Sequence, residues 1–417
     1  MLPDPPPATR LVGDQAADWV VAGAGVTGLG AARRLGEMFP DARVVLLEAF
    51  RAGYGTSGRN AGFIIDTPHL TEGLDQAHNE CISRIVRAGR KQLESVVRDH
   101  QIECEWSAIG HLHAVVGARF THALESTCRL FDQSGDDYQW LEGDAIAEIV
   151  GTDHYSAAVR VPSTVLMNPA AMCRGLAATM PANVEVFEES PVTRVTPGAP
   201  VRVECAQGTV TTPTLLLATN AYTTALGFLE GETFPVLACG SLSRRLTEAE
   251  QAAMPGAREW ALTPGVSMGS TLRRTRGQRI LFRNVVRHAG DFRIDDGFRR
   301  RLRNAHQRRL AKRFPAFADL ELEQTWGGVI CMTRNKQGVF GRLAPGVFAS
   351  GAYNGVGIAR GMISGALLAE YAAGGGSALI DDAKALAGPD RLPPKPALTL
   401  GINARMAWMR LRNLGES

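Results

Sequence analysis

The chain reads as an α/β protein, and three features of its 417 residues predict it. The apolar run Trp19-Val20-Val21-Ala22 enters a glycine turn that feeds a small-residue helix through Leu35, and a second apolar run, Ala42 to Leu47, ends on Glu48. A similar strand, glycine turn and helix recur from Val347 to Tyr371. Between them, strand-like runs alternate with turns from 234 to 290. Short apolar strands alternating with helices are the mark of an α/β sheet.

The first unit is shaped to hold a dinucleotide. Its glycines stand at Gly23, Gly25 and Gly28, and Glu48 follows Gly28 by twenty positions. Gly23 permits the tight turn, Gly25 lets the backbone approach a pyrophosphate, and Gly28 lets helix and strand pack closely. The helix N-terminus offers unpaired N–H groups and a partial positive charge to the phosphates. Glu48 suits the ribose hydroxyls and would repel a 2′-phosphate, which disfavours NADP. The unit serves FAD and NAD alike.

Bulk composition narrows the class. A chain this long exceeds one ordinary core, so two domains are expected. The 45% hydrophobic and 21% charged content describes a soluble globular protein, and a formal charge of +3 gives no reason to invoke nucleic acid. The seven cysteines, Cys81, Cys104, Cys128, Cys173, Cys205, Cys239 and Cys331, have no CxxC pair. They read as reduced cytoplasmic thiols, with no disulfide frame and no metal site. Residues 1 to 10, rich in proline, are expected to be a loose leader without the apolar core of a signal peptide. No apolar run approaches the ~20 residues of a membrane span.

The remaining elements follow in order. A glycine-dense loop spans 51 to 65 and can lie against a flat ligand. Leu74, Ala77, Cys81, Ile85, Ala88, Leu93 and Val96 recur at helical spacing and predict a helix over 72 to 99. Gly110 to Val116 reads as a strand, and 121 to 150 as short helices around Ser134-Gly135-Asp136. Asn168-Pro169 opens a helix through Ala178. Val184 to Val195, Val201 to Cys205 and Thr209 to Thr212 read as a small β-meander, followed by the buried strand Leu215 to Ala218. Arg279 to Arg283 is the clearest later strand, Phe298 to Phe314 a basic helix with a solvated face, and Trp326 to Ile330 a strand. Prolines at 389, 393, 394 and 396 predict an extended arm over 388 to 397 before a last helix at 401 to 412. That helix carries Arg405, Met406, Trp408, Met409 and Leu411 and is expected to dock on its own domain, with a membrane surface as the alternative.

Five motifs together resemble one family. They are GAGVTG with Glu48, GYGTSGRNAG at 53 to 62, LATNAY at 217 to 222, WGG at 326 to 328, and GRLAPGVFASGAYNGVGIARG at 341 to 361. The chain resembles FAD-dependent oxidoreductases of the D-amino-acid oxidase superfamily, of glycine and sarcosine oxidase type, and within it the gamma-glutamylputrescine oxidoreductase-like branch. The resemblance implies an α/β fold: a Rossmann-like FAD-binding domain of glutathione-reductase type, interleaved with an α+β substrate domain containing an antiparallel sheet. The expected boundaries are 11–90, 155–225 and 325–385 for the FAD domain, 91–154 and 226–324 for the substrate domain, and 386–417 for a C-terminal arm and helix.

The resemblance also implies a chemistry. Such enzymes take a hydride from the carbon beside an amine, and the imine hydrolyses. O2 is the expected oxidant. An electron carrier or quinone in its place, or a 2-hydroxy acid as substrate, are the alternatives. FAD is expected to be held without a covalent bond, with a link to Cys331 as a minority possibility. The expected FAD-binding positions in the first half are Gly23, Gly25, Val26, Thr27, Gly28, Glu48, Ala49, Gly55, Thr56, Ser57, Arg59, Asn60, Ala61, Gly62 and Val192. Those in the second half are Thr219, Asn220, Trp326, Gly328, Gly351, Asn354, Gly355, Val356, Gly357 and Ile358. Arg59 and Asn60 are expected to donate to flavin oxygens, and the second helix N-terminus to face the ring near N1 and C2=O. An amino-acid substrate requires a cation for its carboxylate, and Arg273, Arg279 and Arg283 are the candidates. Arg273 and Arg283, with Tyr353 as a pocket wall, complete the expected catalytic set.

Overall fold

The computed structural model describes residues 6–68, 75–288 and 294–415. A six-stranded sheet forms one half of its framework. Its order is Val339–Ala344, Val347–Gly351, Thr214–Leu217, Trp19–Ala22, Val44–Leu47 and Val184–Phe187. All neighbours run parallel except the first pair. Strands such as Val-Val-Leu-Leu and Thr-Leu-Leu-Leu are near-continuously apolar because helices or other chain cover both faces. The two glycine helices, Val26–Met38 and Ile358–Ala372, pack side by side, with Gln76–Asp99 across the second. They approach closely: a side chain at Gly365 would overlap the Thr27 carbonyl oxygen.

An eight-stranded sheet forms the other half. Its order is Gln324–Met332, Phe234–Leu242, Ile280–His288, Thr271–Arg274, Trp260–Pro264, His111–Val115, Ala157–Val161 and Gln139–Glu142. One pair is parallel, Trp260–Pro264 with His111–Val115, and the rest are antiparallel. The arginine helix, Asp296–Arg313, covers one face through Leu310 and Phe314, which pack with Leu272 and Phe282. A four-stranded sheet joins Gly13–Ala16, Gly208–Thr212, Val201–Cys205 and Val192–Thr196.

Several elements differ from the sequence reading. Val184–Phe187 leaves the expected meander and pairs in parallel with Val44–Leu47, extending the dinucleotide sheet. Gln139–Glu142 is a strand between the helices Thr121–Ser134 and Asp144–Val150. The C-terminal helix begins at Lys395, six residues before the expected start. Prolines are tolerated in a first helical turn, where their missing N–H has no partner to lose. Leu74 and the expected first turn of the long helix lie outside the described residues, as do residues 1–5 of the leader.

Candidate functional site

The parallel strands end at one edge of their sheet. Ala22 aligns with Leu47 and with Leu217, and Leu217 aligns with Ala349. This carboxyl edge therefore gathers the turn after Ala22, Glu48 after Leu47, Thr219-Asn220 after Leu217, and the turn after Gly351. Ligands of open α/β sheets bind at such an edge.

Gly23 turns with φ +100°, and its N–H donates to Leu47 O at 2.7 Å. A side chain at Gly28 would overlap the Gly23 carbonyl oxygen, so that glycine serves packing. Gly25 differs: a Cβ there would meet only Ser57, with Oγ at 2.9 Å. The space above Gly25 is thus bounded by one small hydroxyl side chain. Ser57 Oγ accepts from the Val26 N–H at 3.0 Å, and the first helical turn contains no acidic residue. An anion placed there meets no acidic side chain of the helix's own first turn, and the Val26 N–H that Ser57 engages is the donor nearest it. Glu48 accepts from Ala24 N at 2.7 Å and Phe50 N at 3.0 Å. Burial raises its pKa above the ordinary carboxylate range, against the lowering effect of those N–H groups.

The loop after Glu48 is stitched to the strand Gln324–Met332. Thr56 Oγ1 donates to Val329 O at 2.6 Å, Arg59 Nη1 to Gly327 O at 3.1 Å, and Trp326 Nε1 to Arg59 O at 3.0 Å. Asn60 Nδ2 donates to Ser57 O at 2.6 Å while its Oδ1 accepts from Gly62 N at 2.8 Å. The Arg59 and Asn60 side chains, expected to serve flavin oxygens, thus shape the loop itself. Arg59 also lies over the Tyr54 ring at 4.3 Å. Gly55 is open, Ala61 lends its carbonyl to Arg273 at 3.4 Å, and Ala49 follows Glu48 at the sheet edge.

The second turn reaches the first. Tyr353 Oη lies 3.1 Å from Thr27 Oγ1 and 2.9 Å from Ser350 Oγ. Asn220 Oδ1 accepts from Ala352 N at 3.1 Å, tying the Thr219 strand end to this turn. Asn354 adopts φ +56°, and its Oδ1 accepts from Thr333 N at 2.9 Å while its Nδ2 donates to Lys336 O at 2.9 Å. Gly355, with φ +98°, leads through half-buried Val356 to Gly357 and buried Ile358, which start the second helix. Val192 begins its strand half-buried beside the parallel sheet's core.

Sequence reasoning missed Glu188. It follows Val184–Phe187, accepts from Ala52 N at 2.7 Å and pairs with Arg51 at 3.0 Å, fixing the start of the loop. Only the parallel pairing of Val184–Phe187 reveals it, because Glu48 N donates to Phe187 O at 2.8 Å.

Comparison with known proteins agrees with this cradle. A family model described as FAD dependent oxidoreductase (DAO) matches residues 18–371. The chain belongs to this FAD-dependent oxidoreductase family. It is 27% identical over 375 residues to gamma-glutamylputrescine oxidoreductase of Escherichia coli, covering 86% of this chain and 84% of that protein. Its fold resembles glycine oxidase from Geobacillus kaustophilus, with TM-score 0.71, 18% identity, and 87% and 96% of the two chains covered. It equally resembles L-proline dehydrogenase from P. horikoshii, with TM-score 0.71, 16% identity, and coverage of 88% and 96%.

The cradle residues fit FAD. The approach over Gly25, limited only by Ser57, the helix's acid-free first turn and the half-buried carboxylate of Glu48 suit its diphosphate and ribose. In the oxidoreductase Cys331 lies on the strand face opposite the loop: Trp326 and Gly328 face the loop, with Gly328 nearest Arg59 and Thr56, while strand alternation sends Val329 and Cys331 to the opposite face. Cys331 is buried among Leu237, Cys239 and Val329, and that burial pushes its thiol up to about 11, which disfavours the thiolate at neutral pH.

The candidate arginines separate clearly. Arg273 is buried, and its Nη1 donates to Met167 O at 2.6 Å and Gly62 O at 3.3 Å, with Glu259 at 3.6 Å from Nη2. It braces the end of the cofactor loop. Arg279 pairs with Glu323 and donates to Ser243 O at 2.8 Å. Arg283 is half-buried and, among the described residues, has no hydrogen-bonded or ion-paired partner. Burial lowers its pKa. Thr271, Arg283, Gly240 and Trp326 form one row across three strand pairings, so they share a face of the sheet. A Cβ at Gly240 would meet the Trp326 ring at 3.0 Å, so the missing side chain gives the indole its place. The same indole reaches Arg59 O, which puts Arg283 on the loop side of the sheet.

Proposed function

We propose that the protein oxidises a C–N bond in a small amino acid or N-substituted amino acid in the cytoplasm, giving an imine that hydrolyses to a carbonyl. Bound FAD supplies the hydride acceptor for the carbon beside nitrogen, with O2 as the terminal oxidant. The observation that carries this reading is Arg283, a half-buried guanidinium with no hydrogen-bonded or ion-paired partner among the described residues, in one row with the Trp326 that touches the cofactor loop. A planar fork of donors binds a carboxylate through two parallel hydrogen bonds. Partial burial strengthens that pairing and discriminates against substrates lacking the acid. Trp326 flanks the bound substrate, Arg273 positions Gly62, and Tyr353 holds the two glycine turns together. Likeness to gamma-glutamylputrescine oxidoreductase, glycine oxidase and L-proline dehydrogenase supports a nitrogen-bearing substrate.

The test is an absorption spectrum of the purified protein, followed by anaerobic addition of paired amino, N-alkyl amino and 2-hydroxy acids. Bleaching of the flavin band by an amino compound and peroxide release under air are expected. Bleaching by hydroxy acids alone would overturn the substrate class. Turnover with a quinone or dye but no peroxide would overturn O2 as oxidant.

A further inference from the structure

The C-terminal helix Lys395–Arg412 is apolar on two sides. Its inner side, Leu398, Ile402, Met406 and Met409, turns inward against the strand Ile280–His288, as an amphipathic helix docked on its own protein should. The opposite side is not polar. Leu400 is 72% exposed, Trp408 56%, Leu411 65% and the following Leu414 59%. At 100° per residue, Leu400, Ala404, Ala407 and Leu411 fall on one outward stripe about 17 Å long. Leu400, Trp408, Leu411 and Leu414 are nearly half of the exposed large hydrophobic residues among the described ones.

Arginines border this stripe. Arg412 stands about 110° round the helix from the stripe on one side and Arg410 about 90° on the other, with Arg405 beyond Arg412 toward the inner side, all exposed. Arg412 lies 5.4 Å over the Trp408 ring. No Asp or Glu occurs anywhere from 391 to 415. The neighbouring arginine helix adds to the same field: burial, then the charges of Arg313, Arg410 and Arg308, depress the Arg309 guanidinium. The helix is also fixed in place. Leu392 N donates to Gly231 O at 2.6 Å before it, and Asn413 Nδ2 donates to Ser267 O at 2.7 Å at its end. Its outer face is therefore presented on a rigid mount.

We propose that this outer face is a docking surface for an anionic lipid bilayer, on which the helix lies in the plane of the headgroups. An apolar stripe with Trp and Leu, flanked on both sides by arginines that can reach phosphates, is the pattern of an interfacial helix. No helix among the described residues is long and apolar enough to cross a membrane, so the attachment is peripheral. Charge complementarity also argues against a second copy of the chain. In a two-fold pair of antiparallel helices each flank meets its own counterpart, so Arg405 and Arg412 would face Arg405 and Arg412 with no acid of the segment 391–415 to neutralise them.

The full-length flavoprotein should be sedimented with vesicles of pure phosphatidylcholine and with vesicles containing about 30 mol% phosphatidylserine. Binding to the anionic vesicles is expected, with little binding to the neutral ones and release by about 0.5 M salt. Leu400→Glu with Leu411→Glu should cut the bound fraction at least ~10-fold while far-UV dichroism and flavin content stay unchanged. Arg405→Glu with Arg412→Glu should cut it on anionic vesicles in the same way. Wild-type protein that remains in the supernatant with both vesicle types would overturn the proposal, as would equal binding by the glutamate variants. A concentration-dependent dimer that the Leu400/Leu411 variant abolishes, without lipid binding, would assign the face to a second copy instead.

Discussion

The Tyr353 hydroxyl stands between Ser350 Oγ at 2.9 Å and Thr27 Oγ1 at 3.1 Å, so one phenol joins turns that are 326 positions apart. Burial raises its pKa, against the lowering effect of Ser350 and Thr27, and keeps it neutral. Tyr353→Phe removes the bridge and leaves two hydroxyls to find other partners. It should cost about 1–2 kcal/mol. Urea unfolding followed by flavin release would show a lower midpoint with FAD stoichiometry intact. A variant that loses FAD but keeps its stability would make the phenol a cofactor contact instead.

Gly25 and Gly28 lie in the same turn and should fail in different ways. Gly25→Leu fills the space above the helix N-terminus, where nothing but Ser57 limits it. The expected product is a folded protein without yellow colour. Gly28→Ala forces a methyl into the Gly23 carbonyl and should cost ~3 kcal/mol through overpacking. Thermal unfolding and flavin content measured on both variants separate the two roles. Full FAD occupancy in Gly25→Leu would remove the cradle from this turn.

What the sequence makes legible follows from the range of each demand. Gly23, Gly25, Gly28 and Glu48 answer local requirements of one turn and one ligand, so their spacing alone announces them. Val184–Phe187 is four residues long and carries no local mark of the sheet it joins, so its parallel pairing, and with it Glu188, stays hidden. Arg273, Arg279 and Arg283 look alike in one dimension. Which is braced, which is ion-paired and which has no partner among the described residues depends on register and on loops more than a hundred residues away. Strand alternation past WGG decides the orientation of Cys331, a step the motif does not contain. Prolines at 393, 394 and 396 read as an extended arm, so the expected helix starts at 401 and leaves out Leu400 of the outer stripe, while Trp408 and Leu411 are within it.

Arg283→Leu tests the carboxylate contact. For an amino-acid substrate kcat/KM should fall about 100-fold or more, equivalent to ~3 kcal/mol, mostly through KM. An amine lacking the acid should lose little. Arg273→Leu should behave otherwise, because its guanidinium is buried on backbone carbonyls and beside Glu259. It should destabilise the protein by about 3–5 kcal/mol, leaving Glu259 without its cation. Steady-state kinetics on a substrate pair with and without the carboxylate decides the matter, and an equal loss on both would remove Arg283 from acid recognition.

His306 should set part of the acid sensitivity of the fold. It is fully buried between the arginine helix and the eight-stranded sheet, and burial, then the charge of Arg309, holds its pKa at about 3. Nε2 lies 3.0 Å from Asn284 Oδ1, which only accepts, so the single proton of the neutral ring is on Nε2. Nδ1 then accepts from Ser241 Oγ at 2.8 Å, and Ser241 accepts from Thr325 at 2.9 Å. Protonation would set a second donor against the Ser241 hydroxyl. The unfolded chain binds this proton near pH 6.5 and the native state only near 3. The contribution is therefore complete above pH 6.5 and is lost as pH falls through that window, at ~1.4 kcal/mol per unit. His306→Gln should be less stable at neutral pH yet fall less steeply between pH 6.5 and 4.5. Subtracting its urea-derived stability from that of the wild type cancels the other titrating groups, and a difference that does not shrink with falling pH would rule the histidine out.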